Sequence, residues 1–241
     1  LPAFGMFLIM ALTLSTLGIL PHLNESVIYA VFYIYNFVPR YKYAYEFAHL
    51  WSLGVEEQFY IIWPFILKFV HSSKKLLLIL SLGISMSCFL LLIYHKWAFT
   101  HSYFFERWFI PACCPILVGA MGAIIHSNFS LRIKAFSQKN YWVFSLIIIN
   151  YFYPLFAPER YLHLGIVFQS MGVVLLLIWI VEHQDSLLVN ILNHTYLNYI
   201  GRISYGLYMY QGLFLRTGGG SELGIQQFPL NILLTIILAI V

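Results

Sequence analysis

Long stretches without a single Asp, Glu, Lys or Arg, among them Leu1–Leu20, Leu76–Tyr94, Trp108–Ile125 and Leu162–Val181, constrain this chain more than anything else in it. Each has the roughly 20 residues that an α-helix needs to cross the hydrocarbon core of a bilayer. In that medium every backbone N–H and C=O must find a partner inside the protein, which makes the helix the structure open to such a run. Composition agrees. Of 241 residues, 61% are hydrophobic and 9% charged, where a soluble domain carries roughly 25% charged residues. Mean hydropathy is +0.81. A soluble globule and a disordered chain are therefore excluded, and the net charge of +4 gathers into no basic cluster dense enough for nucleic acid.

The expectation is an all-α, polytopic transmembrane bundle in the lipid bilayer, read as a single domain over residues 1–241. Spans are placed at Leu1–Leu20, His49–Val70, Leu76–Tyr94, Trp108–Ile125, Tyr141–Phe156, Leu162–Val181 and Tyr196–Leu215, with an eighth starting at Pro229–Val241. Ser26–Val38 is too short to cross and reads as a re-entrant or interfacial segment. The chain starts and stops inside apolar runs, so it reads as a fragment truncated at both ends. Basic residues at Lys68–Lys75 and Arg132–Lys139 mark the cytoplasmic side; Arg40, Lys42, Lys96, Arg160 and Arg216 fall on the other. Cys88, Cys113 and Cys114 sit in apolar stretches with no CxxC and no histidine at ligand spacing, which points to packing and to no metal site.

Chemistry concentrates in His49-Leu-Trp-Ser-Leu-Gly-Val-Glu-Glu-Gln-Phe-Tyr60. At 100° per residue, His49, Ser52, Leu53, Glu56, Tyr60 and Trp63 fall within an arc of about 100°, one face of a helix. A carboxylate at membrane depth costs roughly 2.5–3.5 kcal/mol and calls for a cavity, a basic partner or a ligand. Glu56 is thus a site residue or a structural ion-pair partner, and His49 a site residue or an interface marker. Trp51 and Trp63 read as packing, and the other eight histidines as interfacial. Arg107 and Arg202 open spans, either as partners for an anion or as snorkelling side chains. In Gly201-Arg-Ile-Ser-Tyr-Gly-Leu-Tyr-Met-Tyr-Gln211, Ser204, Tyr208 and Gln211 form a second polar stripe. Read bottom-up, these residues make a polar site inside a membrane protein and do not choose a reaction.

Trp51-Ser-Leu-Gly-Val-Glu-Glu-Gln-Phe-Tyr60, followed by Trp63-Pro64, resembles the signature of the acyltransferase-3 family of integral-membrane O-acyltransferases. The family's Ser-Leu-x-x-Glu-x-x-x-Tyr falls on Ser52, Leu53, Glu56 and Tyr60. Tyr199–Gln211 is similar to its late segment, with Gln211 where the family usually has His, and Arg107 ahead of Gly119 matches a third feature. The family pattern begins with two earlier spans carrying an arginine and a histidine central to acyl transfer. Neither is in this sequence, so the fragment alone is expected to be inactive.

The resemblance implies a multi-pass protein of the bacterial cytoplasmic membrane that modifies cell-envelope polysaccharide. An acyl group, most often acetyl, would pass from acyl-CoA to a hydroxyl of a carbohydrate or glycolipid. Glu56, Tyr60, Ser52 and His49 would be the catalytic set, with Glu56 orienting the base and Tyr60 and Ser52 hydrogen-bonding acceptor or carbonyl. Arg107, Arg202, Tyr205, Tyr208 and Gln211 would bind the substrates, an arginine holding the donor's phosphates. The rival readings are a transporter or flippase of a polar lipid-linked substrate and a non-catalytic relative. Dependence on acyl-CoA separates them from an acyltransferase.

Overall fold

In the computed structural model, which describes residues 2–20, 23–93, 102–137, 152, 159–215 and 223–240, the chain is all-helical, with no β-strand among those residues. Among the described residues, two helices are long and apolar enough to cross a membrane, Ser73–Ile93 and Gly165–Glu182. Eight spans were expected, and the reasons for the difference are local. Pro2–Thr16, Cys114–Phe129 and Leu230–Ile240 are apolar but shorter. Leu50–Phe69 has 20 residues but carries Glu56, Glu57, Gln58 and Lys68. Tyr141–Phe156 lies outside the described residues apart from Phe152, as do Lys96, Lys139 and Arg216.

The helices fall into two compact units. The first holds α1 (Pro2–Thr16), α2 (Asn24–Val31), the start of α3 (Leu50–Phe69), α9 (Thr195–Phe214) and α10 (Leu230–Ile240). Helix α1 starts at a proline, whose fixed φ suits the first turn. It ends with the Gly18 and Ile19 amides donating to the Ser15 and Leu14 carbonyls. At eight residues α2 rises about 12 Å and cannot cross a bilayer. Phe7, Tyr35, Phe47, Met209 and Leu213 are fully buried in this unit's core.

Between α2 and α3 the chain runs through three 3₁₀ turns, Tyr35–Phe37, Arg40–Lys42 and Tyr45–Phe47. The buried Tyr35 phenol closes them: its O–H donates to the Ala44 carbonyl at 2.8 Å and its oxygen accepts the Ala44 amide at 2.9 Å. Burial pushes the phenol above its ordinary pKa of 10.0, which keeps the donating proton in place. Just upstream, Tyr33 holds a left-handed backbone with φ 55°, costly for an aromatic residue. Its carbonyl oxygen would lie 2.7 Å from a Cβ at Gly54, so a residue without a side chain is required there.

The second unit holds the rest of α3, α4 (Ser73–Ile93), α5 (Phe109–Ala112), α6 (Cys114–Ser137), α7 (Glu159–Glu182) and α8 (Leu187–Leu192). Here α4 packs on α6, and α6 on α7. Ser87 on α4 donates to the Pro111 carbonyl at 2.7 Å, and helix α6 is interrupted by non-helical backbone at Phe129. His126 Nε2 lies 2.8 Å from Glu182 Oε1, joining α6 to α7. Sequence alone places His126 at a membrane interface and does not point to Glu182 as its partner. Trp63 stacks on Phe59, with centroids 5.3 Å apart, and both line an apolar cavity of about 300 Å³.

Candidate active site

The first turn of α3 converges on one backbone carbonyl. The His49 oxygen accepts the Ser52 amide at 3.3 Å, the Ser52 hydroxyl at 3.2 Å and the Tyr208 hydroxyl at 2.5 Å. Ser52 Oγ and Tyr208 Oη are also hydrogen-bonded to each other. Each hydroxyl has one proton, so Tyr208 donates to the His49 carbonyl and Ser52 donates to that carbonyl or to the Tyr208 oxygen. The two polar segments found in the sequence thus meet directly.

The His49 imidazole points away from this convergence and into the core of the first unit. Its ring lies edge-on to Tyr208 at 5.1 Å and to Phe7 at 5.6 Å. Both ring nitrogens are buried without a well-formed hydrogen bond; their polar neighbour is the Met209 backbone. A Cβ at Gly212 would collide with this ring and with the Glu46 carbonyl oxygen. Gly212 is therefore what lets α9 approach closely enough for Tyr208 to reach Ser52.

Glu56 lies one turn after Ser52 on an exposed part of α3. Its carboxylate is within electrostatic reach of Tyr208 and Tyr205, and Tyr205 also feels Glu57 and Tyr33. Tyr60 is a turn further on, in the second unit, and 60% exposed. Tyr205 is 38% exposed and Gln211 half-buried. Arg202 is exposed, six residues before Tyr208 and hence about 9 Å away along α9. Since Gly212 abuts His49 while Tyr208, a turn earlier on α9, meets Ser52, the two helices run antiparallel here, and Arg202 lies at the end away from His49.

Arg107 sits at the opposite end, beside the start of α3. Its guanidinium donates to the Tyr43 hydroxyl at 2.9 Å and stacks over Tyr43, Phe104 and Trp51 at 5.1, 4.1 and 5.9 Å. Glu106 Oε1 is 4.0 Å from Arg107 Nε. The sequence reading missed Arg40, Tyr43 and Phe104. Arg40 enters that reading only as a basic residue on the non-cytoplasmic side, and nothing in the sequence marks Tyr43 or Phe104 among its many aromatic residues. Among the described residues, no group of three or more His, Cys, Asp or Glu could hold a metal ion.

The family model described as an acyltransferase domain, that of acyltransferase-3, matches residues 2–241. The chain belongs to the acyltransferase-3 family. Two curated proteins are similar to this acyltransferase-3 chain. "O-acetyltransferase OatA" of Staphylococcus aureus (strain NCTC 8325) is 29% identical over 229 residues, 85% of this chain and 37% of the relative. "Putative peptidoglycan O-acetyltransferase YrhL" of Bacillus subtilis (strain 168) is 28% identical over 176 residues, 67% of this chain and 27% of the relative. The chain therefore spans between a quarter and two-fifths of the length of these relatives. No solved structure matches it.

Proposed function

We propose that the chain is the membrane-embedded part of an O-acyltransferase, moving an acetyl group from acetyl-CoA to a hydroxyl of an envelope carbohydrate. The helices form a multi-pass bundle of about eight spans in the bacterial cytoplasmic membrane. Membership of the acyltransferase-3 family supports the reaction class, and the printed names of the two relatives support acetyl as the group and peptidoglycan as an acceptor of this kind. The observation that carries the reading is the junction of Ser52 with Tyr208, with Glu56 and Tyr205 alongside.

In this reaction the acceptor oxygen bonds to the thioester carbonyl carbon, the carbon–sulfur bond breaks, and the acceptor proton leaves by way of a base to the departing thiolate. Glu56 orients and charge-stabilises that base, as a carboxylate does in a triad. Tyr60 is a hydroxyl donor for the acceptor oxygen or for the carbonyl oxygen as charge grows on it, and Ser52 and Tyr208 become donors by turning their single protons from the His49 carbonyl and from each other to the bound substrate. His49 fixes the Ser52–Tyr208 pair through its carbonyl. Tyr205 and Gln211 line the acceptor path, Arg107 is a substrate-binding cation, and Arg202 binds the donor's phosphates by charge-assisted hydrogen bonds.

The test is Glu56→Gln in the full-length protein, incubated in membranes with acetyl-CoA and a peptidoglycan-derived oligosaccharide. Acetylated product, detected by its mass increase, should fall by orders of magnitude while membrane insertion is unchanged. Near-normal product from this variant overturns the assignment, and substrate movement without acetyl-CoA and without a mass change would mark a transporter instead.

A further inference from the structure

Two guanidinium groups reach the Phe104 ring, one from Arg107 three residues on and one from Arg40 in a distant segment. Arg40 Cζ is 4.3 Å and Arg107 Cζ 4.1 Å from the ring centroid. Both arginines are held in place. Pro39 and Tyr103 form an antiparallel bridge, the Arg40 amide donates to the Ser102 carbonyl at 2.9 Å, and Arg40 Nε donates to the Tyr103 carbonyl at 3.3 Å. Arg107 is fixed by the Tyr43 hydroxyl and by stacking on Tyr43 and Trp51. Two like charges are thus fixed close together, with Lys42 two residues from Arg40. Among the described residues the acidic group in ion-pair range is Glu106, at the 4.0 Å limit from Arg107. Stacking on rings orients guanidinium planes without using up their N–H groups, and such planes bind oxyanions through paired hydrogen bonds. Arg40 is exposed, so a ligand can reach the pair.

We infer that Arg40 and Arg107, brought together around Phe104, form a binding site for an oxyanion, carboxylate or phosphate, carried by the carbohydrate acceptor. The inference rests on the acyltransferase reading above and assigns Arg107 to the acceptor rather than to the donor. Position decides between the two. Arg107 stacks on Trp51, next to Ser52, at the His49 end of α3, whereas Arg202 lies at the far end of the antiparallel α9. Donor and acceptor then reach the Ser52–Glu56 stretch from opposite ends, and a cation on the acceptor side selects glycans that bear negative charge.

The experiment compares full-length wild type with Arg40→Gln, Arg40→Lys and Arg107→Gln, using acetyl-CoA and three oligosaccharides: neutral chito-oligosaccharide, a muramic acid-containing carboxylate and a sugar phosphate. Preference for the charged acceptors, as a ratio of kcat/KM to that of the neutral one, should fall at least tenfold in Arg40→Gln and largely return in Arg40→Lys. Which charged acceptor loses its advantage identifies the anion. An unaltered preference in Arg40→Gln, or a raised KM for acetyl-CoA in either Gln variant, overturns the inference. Should Arg107→Gln fail to fold, the exposed Arg40 still gives the answer. Calorimetric binding of the same oligosaccharides needs no turnover. If wild type transfers no acetyl group yet binds the charged glycans more tightly than Arg40→Gln does, the anion site stands and the acyltransferase reading fails. Equal binding by both proteins removes the site.

Discussion

Tyr208 and Ser52 stand 156 residues apart in the chain and share one hydrogen bond, with the His49 carbonyl as their common acceptor. Two short polar segments, each ambiguous alone, become one site through that contact. Tyr208→Phe keeps the ring and removes the hydroxyl. It should cost about 1 kcal/mol of stability and at least tenfold in acetyl transfer, measured as acetylated product per folded protein. Stability loss without any rate loss would make Tyr208 a strut and no more.

Arg202→Gln separates donor binding from chemistry. Losing charge-assisted hydrogen bonds of about 1.5–3 kcal/mol should raise KM for acetyl-CoA at least tenfold while kcat changes less than twofold. Steady-state kinetics over a range of acetyl-CoA concentrations read both values. An unchanged KM would remove Arg202 from the donor site.

Gly212→Ala puts a methyl group against the His49 ring and the Glu46 carbonyl. Backbone cannot yield as a flexible side chain does, so overpacking should cost about 1–3 kcal/mol, visible as a lower Tm in detergent. Gly5→Ala is the contrasting substitution, with nothing within 4 Å of the new Cβ. In the helix interior it should stabilise by about 0.5–1 kcal/mol.

The His126–Glu182 pair should contribute a coupling of about 0.5–1 kcal/mol between α6 and α7, since both side chains keep some solvent contact. A double-mutant cycle with His126→Ala and Glu182→Gln, followed by denaturant unfolding, measures it. A coupling of zero would mean that the two helices are held by apolar packing alone.

Helix type and order were legible because charge-free runs such as Leu76–Tyr94 leave the backbone no other way to bond itself. Ser52 and Tyr208 were both legible as polar residues on apolar helices, but their meeting was not, because helical periodicity says nothing about which helix a face will find. The same periodicity put the His49 imidazole on the Glu56 face. In the structure His49 precedes the first residue of α3, so 100° per residue does not apply to it, and the ring turns towards Gly212. Arg40 and Phe104 were out of reach for another reason: a 3₁₀ turn closed by the Tyr35 phenol has no periodic signature, and Phe104 reads as one aromatic among many.

The Tyr33 turn sets a rule for how this sequence can vary. Its carbonyl occupies the space in which a side chain at position 54 would have to grow, while the left-handed φ of 55° is what aims the carbonyl there. The two positions therefore form a lock between an irregular turn and the helix that carries Ser52 and Glu56. A family member with a larger residue at position 54 must hold its turn differently, and substitutions at 33 and 54 should then travel together through the lineage. Grafting such a residue into this chain by itself would push the turn off the helix, whereas exchanging the whole 32–36 turn along with it should restore the fit.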